Sequence, residues 1–100
     1  MPSSWQDLKT RRLDAMSAAE RAEYDRAYAA AKLAADVGDR LRQAREAAGI
    51  SQRELARRMG TSQSAVDRLE AGGVGATLTT LQRAASALGL TVSVDLQETA

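Results

Sequence analysis

The segment spanning residues 51–72 constrains the fold most, because its sequence predicts two short helices joined by a tight turn. It reads SQRELARRMGTSQSAVDRLEAG. Ser51, followed by Glu54 three residues later, has the capping-box spacing, so a helix is predicted to begin directly after Ser51. Gly60 stands where the chain leaves that helix with positive φ, which a residue without a Cβ adopts at the lowest cost.

The second helix of this segment is predicted to bury one face and to expose a polar one. Thr61 or Ser62 caps it, and Ala65, Val66 and Leu69 form its inward stripe. Its outward-facing side chains are Gln63, Ser64, Asp67 and Arg68. Such side chains suit base edges and phosphates, so we expect the helix to enter the major groove of DNA. The alternative is a helical hairpin without a ligand, in which these exposed polar groups have no packing role.

The segment resembles the helix-turn-helix of the XRE family, the Cro and phage-repressor type. The family pattern SQ..LA...G.SQ..V..LE.G is met at nearly every fixed position. The resemblance covers roughly half of the chain, from about Val37 to Leu90, and implies a repressor-like DNA-binding domain of five helices. It also implies an ion pair between a basic residue of the preceding helix and the acidic residue that closes the second helix. Arg45 and Glu70 stand at those positions.

The side chains of this segment differ in the DNA contact that we expect of them. Gln63 suits bidentate contact with adenine, Arg68 suits guanine or a phosphate, and Ser64 is adaptable. Gln52 is expected to clamp a phosphate, with Arg53 or Arg57 adding charge. Asp67 suits a cytosine amine or the orientation of an arginine. The resemblance further implies phosphate contacts near Thr77. The predicted DNA-binding residues are Gln52, Arg53, Arg57, Thr61, Gln63, Ser64, Asp67, Arg68 and Thr77.

Composition excludes several other functions. The chain has 100 residues, no Cys and no His, with 14 basic and 13 acidic side chains. A disulfide framework, a Cys/His zinc site and thiol or imidazole catalysis are therefore excluded, and no enzyme, metal or cofactor is expected. The net charge of +1 is too small to provide DNA affinity by itself, so affinity must come from the placement of arginines. No membrane-spanning run or signal peptide is evident, which favours a cytoplasmic protein.

Residues 1–35 are predicted to form an N-terminal helical arm. Ser3 or Ser4 caps a first short helix, and the capping box of Ser17 and Glu20 starts a second, alanine-rich helix. The arm either packs on the rest of the chain or binds another protein, and its tryptophan suits either role because this residue is also enriched at binding hot spots. The predicted partner-binding residues, all aromatic or leucine, are Trp5, Leu8, Leu13, Tyr24 and Tyr28.

Residues 36–90 are predicted to hold the helix-turn-helix domain and its neighbouring helices. Gly38 is expected to bend or break the helix that precedes this motif. After the glycine-rich residues 72–76, Thr77 is expected to cap a closing helix. The apolar stripe of that helix comprises Leu78, Leu81, Ala84, Ala85 and Leu88.

Residues 91–100 are predicted to form a C-terminal strand and tail. Apolar and polar residues alternate in LTVSVDL, as in a half-buried β-strand. A single strand in an otherwise all-α chain has no partner of its own, so we expect it to pair with a second copy. The predicted dimerisation residues are Val92, Val94 and Leu96.

The arm, the helix-turn-helix and the strand together resemble a HigA-type antitoxin of a type II toxin–antitoxin pair. The resemblance implies that the chain binds and neutralises a small basic ribonuclease toxin. It also implies that a homodimer represses its own operon at a palindromic operator. The alternatives are a free-standing XRE-type repressor without a toxin, and a structural adaptor that no longer binds DNA.

Overall fold

A computed structural model describes residues 4–73 and 77–99, and these residues form helices and no strand. The helices are α1 (Trp5–Asp14), α2 (Ala18–Ala47), α3 (Gln52–Met59), α4 (Gln63–Glu70) and α5 (Leu78–Ala87). The predicted all-α class is therefore confirmed. The predictions for Ser3 and for residues 74–76 of the glycine-rich segment lie outside the described residues.

The chain divides into two compact units. The N-terminal unit ends at Ala31 and the C-terminal unit begins at Lys32, so α2 contributes to both. The five helices belong to the described chain as a whole. The repressor-like part contains the C-terminal portion of α2 together with α3, α4 and α5, and not five helices of its own.

The two helix starts of the N-terminal unit are both capped by serine. Ser4 Oγ accepts a hydrogen bond from the Asp7 amide at 3.1 Å, and the Asp7 carboxylate accepts one from the Ser4 amide at 3.4 Å. Ser17 makes the equivalent contact with the amide of Glu20 at 3.1 Å. None of residues 4–31 is buried within the structure. This unit therefore forms by local helix signals rather than around a core.

The C-terminal unit contains the hydrophobic core. Its buried apolar side chains come from all four helical segments of the unit: Leu41, Leu55, Ala56, Met59, Val66, Leu69 and Ala84. Leu55 of α3 and Val66 of α4 are the largest side chains that are completely buried. Helix α3 packs on both α4 and α5. Apart from Leu78, which is exposed, the predicted inward stripe of α5 is at least half-buried.

Helix α2 continues through Gly38, so of the two predicted outcomes, a bend or a break, the break is absent. A Cβ at Gly38 would lie 2.6 Å from the carbonyl oxygens of Leu69 and Glu70. The glycine therefore lets the C-terminal end of α4 approach the backbone of α2 closely. Its role is one of packing, and the loss of helix propensity is offset by that contact.

The predicted strand at the C-terminal end was wrong. Residues 90–99 form no strand, and the structure describes no other strand with which they could pair. Alternating hydrophobicity specifies which side chains share a face, but a strand exists only through backbone pairing with a neighbour. The predicted inner face is also not buried, since Val94 and Leu96 are 65% and 91% exposed.

Candidate nucleic-acid interface

The turn between α3 and α4 has the predicted geometry. Ser51 Oγ accepts a hydrogen bond from the Glu54 amide at 3.0 Å, which caps α3. Gly60 ends the helix in the left-handed region with φ of 70°. The Thr61 amide donates back to the Ala56 carbonyl at 2.9 Å, so the turn is closed within one residue of Gly60. The two helices are thus joined by a short connection that is hydrogen-bonded to the end of α3.

Ser62, rather than Thr61, caps α4. Its Oγ accepts from the Ala65 amide at 3.1 Å, which places Gln63 and Ser64 in the first turn of the helix. Both side chains are exposed, whereas Val66 on the opposite face is completely buried. Anchoring of one face in the core therefore presents the polar face of α4 to solvent.

A buried ion pair fixes the far end of α4. The Arg45 guanidinium meets the Glu70 carboxylate in a bidentate arrangement, with Nε to Oε2 at 2.6 Å and Nη2 to Oε1 at 3.0 Å. Arg45 Nη1 also donates to the carbonyl of Ile50 at 2.9 Å. The hydrogen bond with Glu70 raises the pKa of Arg45. The pair that the family resemblance implied is confirmed, and it joins α2, α4 and the residue before the α3 cap.

Gln52 extends this network to the exposed face of α4. Its side-chain amide donates to Glu70 Oε1 at 3.2 Å and to Asp67 Oδ1 at 3.3 Å. Of the two roles considered for Asp67, the orientation of an arginine is not observed in the described residues, because the partner of its carboxylate is Gln52. The start of α3 and the middle of α4 are joined by this one amide.

Four of the nine predicted DNA-binding residues line one surface feature, which we call the polar depression. It has a volume of about 360 Å³, is open to solvent, and is lined by Gln52, Gln63, Ser64 and Asp67. These side chains supply amide, hydroxyl and carboxylate groups within one concave surface. Such a surface can hydrogen-bond to the edges of bases that are presented by a groove.

The remaining predicted DNA-binding residues are not all equally available. Arg53, Thr61 and Arg68 are exposed. Thr77 is also exposed, but its hydroxyl caps α5 by accepting from the Thr80 amide at 3.1 Å. Arg57 is paired with Glu54 through Nε and Nη2 at 2.9 and 2.6 Å.

The cluster around Glu54 was not predicted. Arg58 joins Arg57 on the same carboxylate, with its Nε at 3.0 Å from Glu54 Oε1, and its Nη1 donates to the Ala87 carbonyl at 3.2 Å. Hydrogen bonds from Arg57 and then Arg58 lower the pKa of Glu54 to about 2, and the bond to Glu54 raises the pKa of Arg57. The spacing of Glu54 to residues three and four positions later was the signal that sequence reasoning overlooked.

The predicted partner-binding and dimerisation residues lie away from the polar depression in sequence. In the N-terminal unit, Trp5 and Tyr28 are 68% and 58% exposed. Leu8 is also exposed, and Leu13 and Tyr24 are half-buried. At the C-terminal end, Val92 is half-buried beside the exposed Val94 and Leu96.

Two other features, a metal site and a membrane-spanning helix, are not found in the described part of the chain. Among residues 4–73 and 77–99, no group of three acidic side chains is arranged to hold a metal ion. No helix in the same part of the chain combines the length and apolar character needed to cross a membrane.

Comparison with known proteins gives the same assignment as the geometry. The helix-turn-helix family HTH_3 matches residues 41–94, which include α3, α4 and α5. The chain is also similar to a solved chain of a toxin–antitoxin module from Streptococcus pneumoniae. The two share 30% identity with a TM-score of 0.53, over 98% of this chain and 97% of the other. No curated protein matches at a significant level. The chain therefore belongs to the HTH_3 helix-turn-helix family and is a DNA-binding regulator of XRE type, not an enzyme.

Proposed function

We propose that this chain is the antitoxin of a toxin–antitoxin pair, of the HigA type, which binds both its toxin and its operator DNA. The observation that carries the proposal is the likeness to the toxin–antitoxin chain, which covers 98% of this chain and so includes both units. A free-standing repressor would need to resemble that chain only in the helix-turn-helix part. Membership of a helix-turn-helix family supports the antitoxin role rather than the toxin role for this chain.

On DNA, the polar face of α4 enters the major groove. Gln63 contacts adenine, Arg68 contacts guanine or a phosphate, and Ser64 adapts to either neighbour. At the start of α3, Arg53 contacts the phosphate backbone through its side chain and Gln52 through its main-chain N–H, because the Gln52 side-chain amide donates to Asp67 and Glu70. A two-fold dimer presents two such helices about 34 Å apart, which matches successive major grooves of a palindromic operator. Repression of its own operon follows from occupancy of that operator.

The toxin is a small basic ribonuclease, and it binds the N-terminal unit. That unit has no buried side chain among residues 4–31, yet it exposes Trp5 and Tyr28. Tyr24 and Tyr28 stack with ring centroids 6.4 Å apart, and the Lys9 ammonium lies 5.7 Å from the Tyr28 ring centroid. Aromatic side chains held in a fixed arrangement are favourable anchors for a protein partner, because little conformational entropy is lost when they bind.

The dimer forms by apolar contact through Val92, Val94 and Leu96 of two copies, without the strand pairing that the sequence predicted. Exposed valine and leucine side chains in one short segment are stabilised when a second copy covers them. Val94→Asp should convert the dimer to a monomer in light scattering, whereas Ser93→Asp on the adjacent residue should leave it dimeric. A Val94→Asp variant with dimer mass would contradict this assignment.

Co-expression with the product of the neighbouring reading frame tests the antitoxin function. The tagged chain should capture that product, restore growth of cells that express it in the cytoplasm, and shift a duplex from its own upstream region. A Trp5→Ala, Tyr28→Ala double variant should lose capture and retain the shift, whereas Gln63→Ala should do the reverse. Each variant is the control for the other.

Failure of the two arms would have different meanings. A chain that shifts the duplex but captures no neighbouring product in any variant would be a free-standing repressor. A chain that captures the product but shifts no duplex would be an adaptor. Either result would overturn the combined function proposed above.

A further inference from the structure

We infer that Asp67 is a specificity-determining residue that selects cytosine in the operator, with Gln52 as its positioning residue. The inference rests on the proposed DNA binding of α4. It starts from an unfavourable charge: Asp67 is the one acidic side chain among the four that line the polar depression. A carboxylate at that place is repelled by phosphates, so it weakens DNA binding unless it meets a hydrogen-bond donor.

The protein itself does not satisfy the carboxylate. Asp67 Oδ1 accepts one hydrogen bond, from Gln52 at 3.3 Å, and Asp67 is exposed. Within residues 4–73 and 77–99, Oδ2 has no hydrogen-bond donor, and neither the adjacent Arg68 nor any other arginine forms an ion pair with Asp67. The second oxygen is therefore free to accept a hydrogen bond from a ligand in the depression.

The orientation of the carboxylate is set from inside the protein. The Gln52 amide that holds Oδ1 also donates to Glu70 at 3.2 Å, and Glu70 is fixed by its bidentate pair with the buried Arg45. Asp67 is thus linked to the buried ion pair through a single side chain. A carboxylate held at one oxygen loses less rotamer freedom when its other oxygen binds a base.

Major-groove chemistry then selects the base. Guanine and thymine present only acceptors to a hydrogen-bonding group there, so a carboxylate is repelled by both. Adenine offers its N6 amine, but the N7 acceptor beside it opposes a carboxylate. Cytosine offers the N4 amine without such an acceptor on the same base, which makes it the best partner for Asp67.

Selection from randomised duplexes at low salt tests the inference with the full-length chain. The wild type should select cytosine at one position of each half-site. Asp67→Asn keeps the shape and adds a donor, so the preference for cytosine at that position should fall about tenfold and move toward adenine. Gln52→Ala should weaken the same preference while leaving the one assigned to Gln63 in place. Asp36→Asn removes the same charge from an exposed site on α2 and should leave every preference unchanged.

Two results would overturn the inference. If Asp67→Asn binds all duplexes more tightly with unchanged base preferences, Asp67 acts only as a repulsive charge. If the wild type selects no sequence at any position, the proposed DNA reading itself fails, and the inference fails with it. The two results are distinguishable, because the wild type still selects a sequence in the first case and selects none in the second.

Discussion

The two units of this chain contain ion pairs of equal length in opposite environments. In the N-terminal unit, Arg26 meets Glu23 at 2.6 Å with both side chains largely exposed; in the C-terminal unit, Arg45 meets Glu70 at 2.6 Å with both largely buried. Water competes for the exposed charges of the first pair, so that pair contributes little to stability. Water is largely excluded from the second pair, so loss of one partner leaves a buried charge without compensation. Contact distance therefore says little about what a pair contributes to stability, and burial says much more.

The same contrast holds for apolar side chains. Leu55 is completely buried in the C-terminal unit, whereas Leu8 of α1 is 44% exposed and Trp5 is 68% exposed. The C-terminal unit buries a set of apolar side chains in a core, whereas no apolar side chain among residues 4–31 is buried. We therefore expect truncation of an apolar side chain to affect folding in the core of the second unit and to leave folding nearly unchanged on the surface of the first unit. Unfolding in urea at one fixed protein concentration tests that division.

The largest effect is expected at Glu70. Glu70→Ala leaves the buried Arg45 guanidinium without its carboxylate and should lower the free energy of unfolding by about 3–5 kcal/mol. Glu23→Ala breaks a pair with the same 2.6 Å contact in the N-terminal unit and should change the free energy of unfolding by less than about 1 kcal/mol. Equal losses for the two variants would show that burial does not separate the units.

The next effect is expected at Leu55. Leu55→Ala removes a completely buried side chain and should cost about 2–5 kcal/mol, because the apolar transfer energy is lost and a cavity is left. Leu8→Ala makes the identical chemical change on the surface of α1 and should cost about 0.5 kcal/mol or less. A large loss for Leu8→Ala would mean that the N-terminal unit has a core of its own.

A smaller effect is expected at Gly38. An alanine there would bring its Cβ to 2.6 Å from two backbone oxygens of α4, so Gly38→Ala should destabilise by about 1–3 kcal/mol. The intrinsic preference of alanine for helices opposes this by about 1 kcal/mol. Asp36→Ala, at an exposed position two residues earlier, is the control and should be nearly neutral. Stabilisation by Gly38→Ala would show that the close approach of α4 is unnecessary.

The smallest effect is expected at Glu54 and depends on pH. Its pKa is about 2 in the folded chain against an ordinary 4.5, so its contribution to stability is present above pH 4.5 and is lost as pH falls toward 2. The difference in unfolding free energy between wild type and Glu54→Gln should therefore shrink across that interval. A difference that stays constant with pH would mean that Arg57 and Arg58 do not hold the carboxylate ionised.

Local signals predicted the parts of the fold that depend on few residues. The caps at Ser51 and Thr77, the left-handed Gly60 and the buried face of α4 follow from spacing within one helix. The Arg45–Glu70 pair was predicted from the family pattern, since residues 25 positions apart have no local signal. These features fix the polar face of α4, and the candidate site was to that extent readable from sequence.

The errors arose where the outcome depends on a distant part of the chain. The packing role of Gly38 was not predicted, because its neighbour in space is the end of α4, more than thirty residues later. The hydrogen bond between the Gln52 amide and Asp67 was not predicted, because the turn brings together two side chains that are 15 positions apart. The alternation around Val94 predicted a strand although no partner strand exists among the described residues. The spacing of residues indicates which of them share a helix face, but it does not indicate which other element packs against that face.

The central claim is that the exposed first turn of α4 reads duplex DNA, and fluorescence anisotropy with a labelled duplex from the upstream region measures it most directly. Wild type should bind this duplex more tightly than a scrambled duplex, and Gln63→Ala should lose about 1–3 kcal/mol of that preference while keeping its affinity for the scrambled duplex. Equal affinity of wild type for both duplexes, or an unchanged preference in Gln63→Ala, would contradict the account.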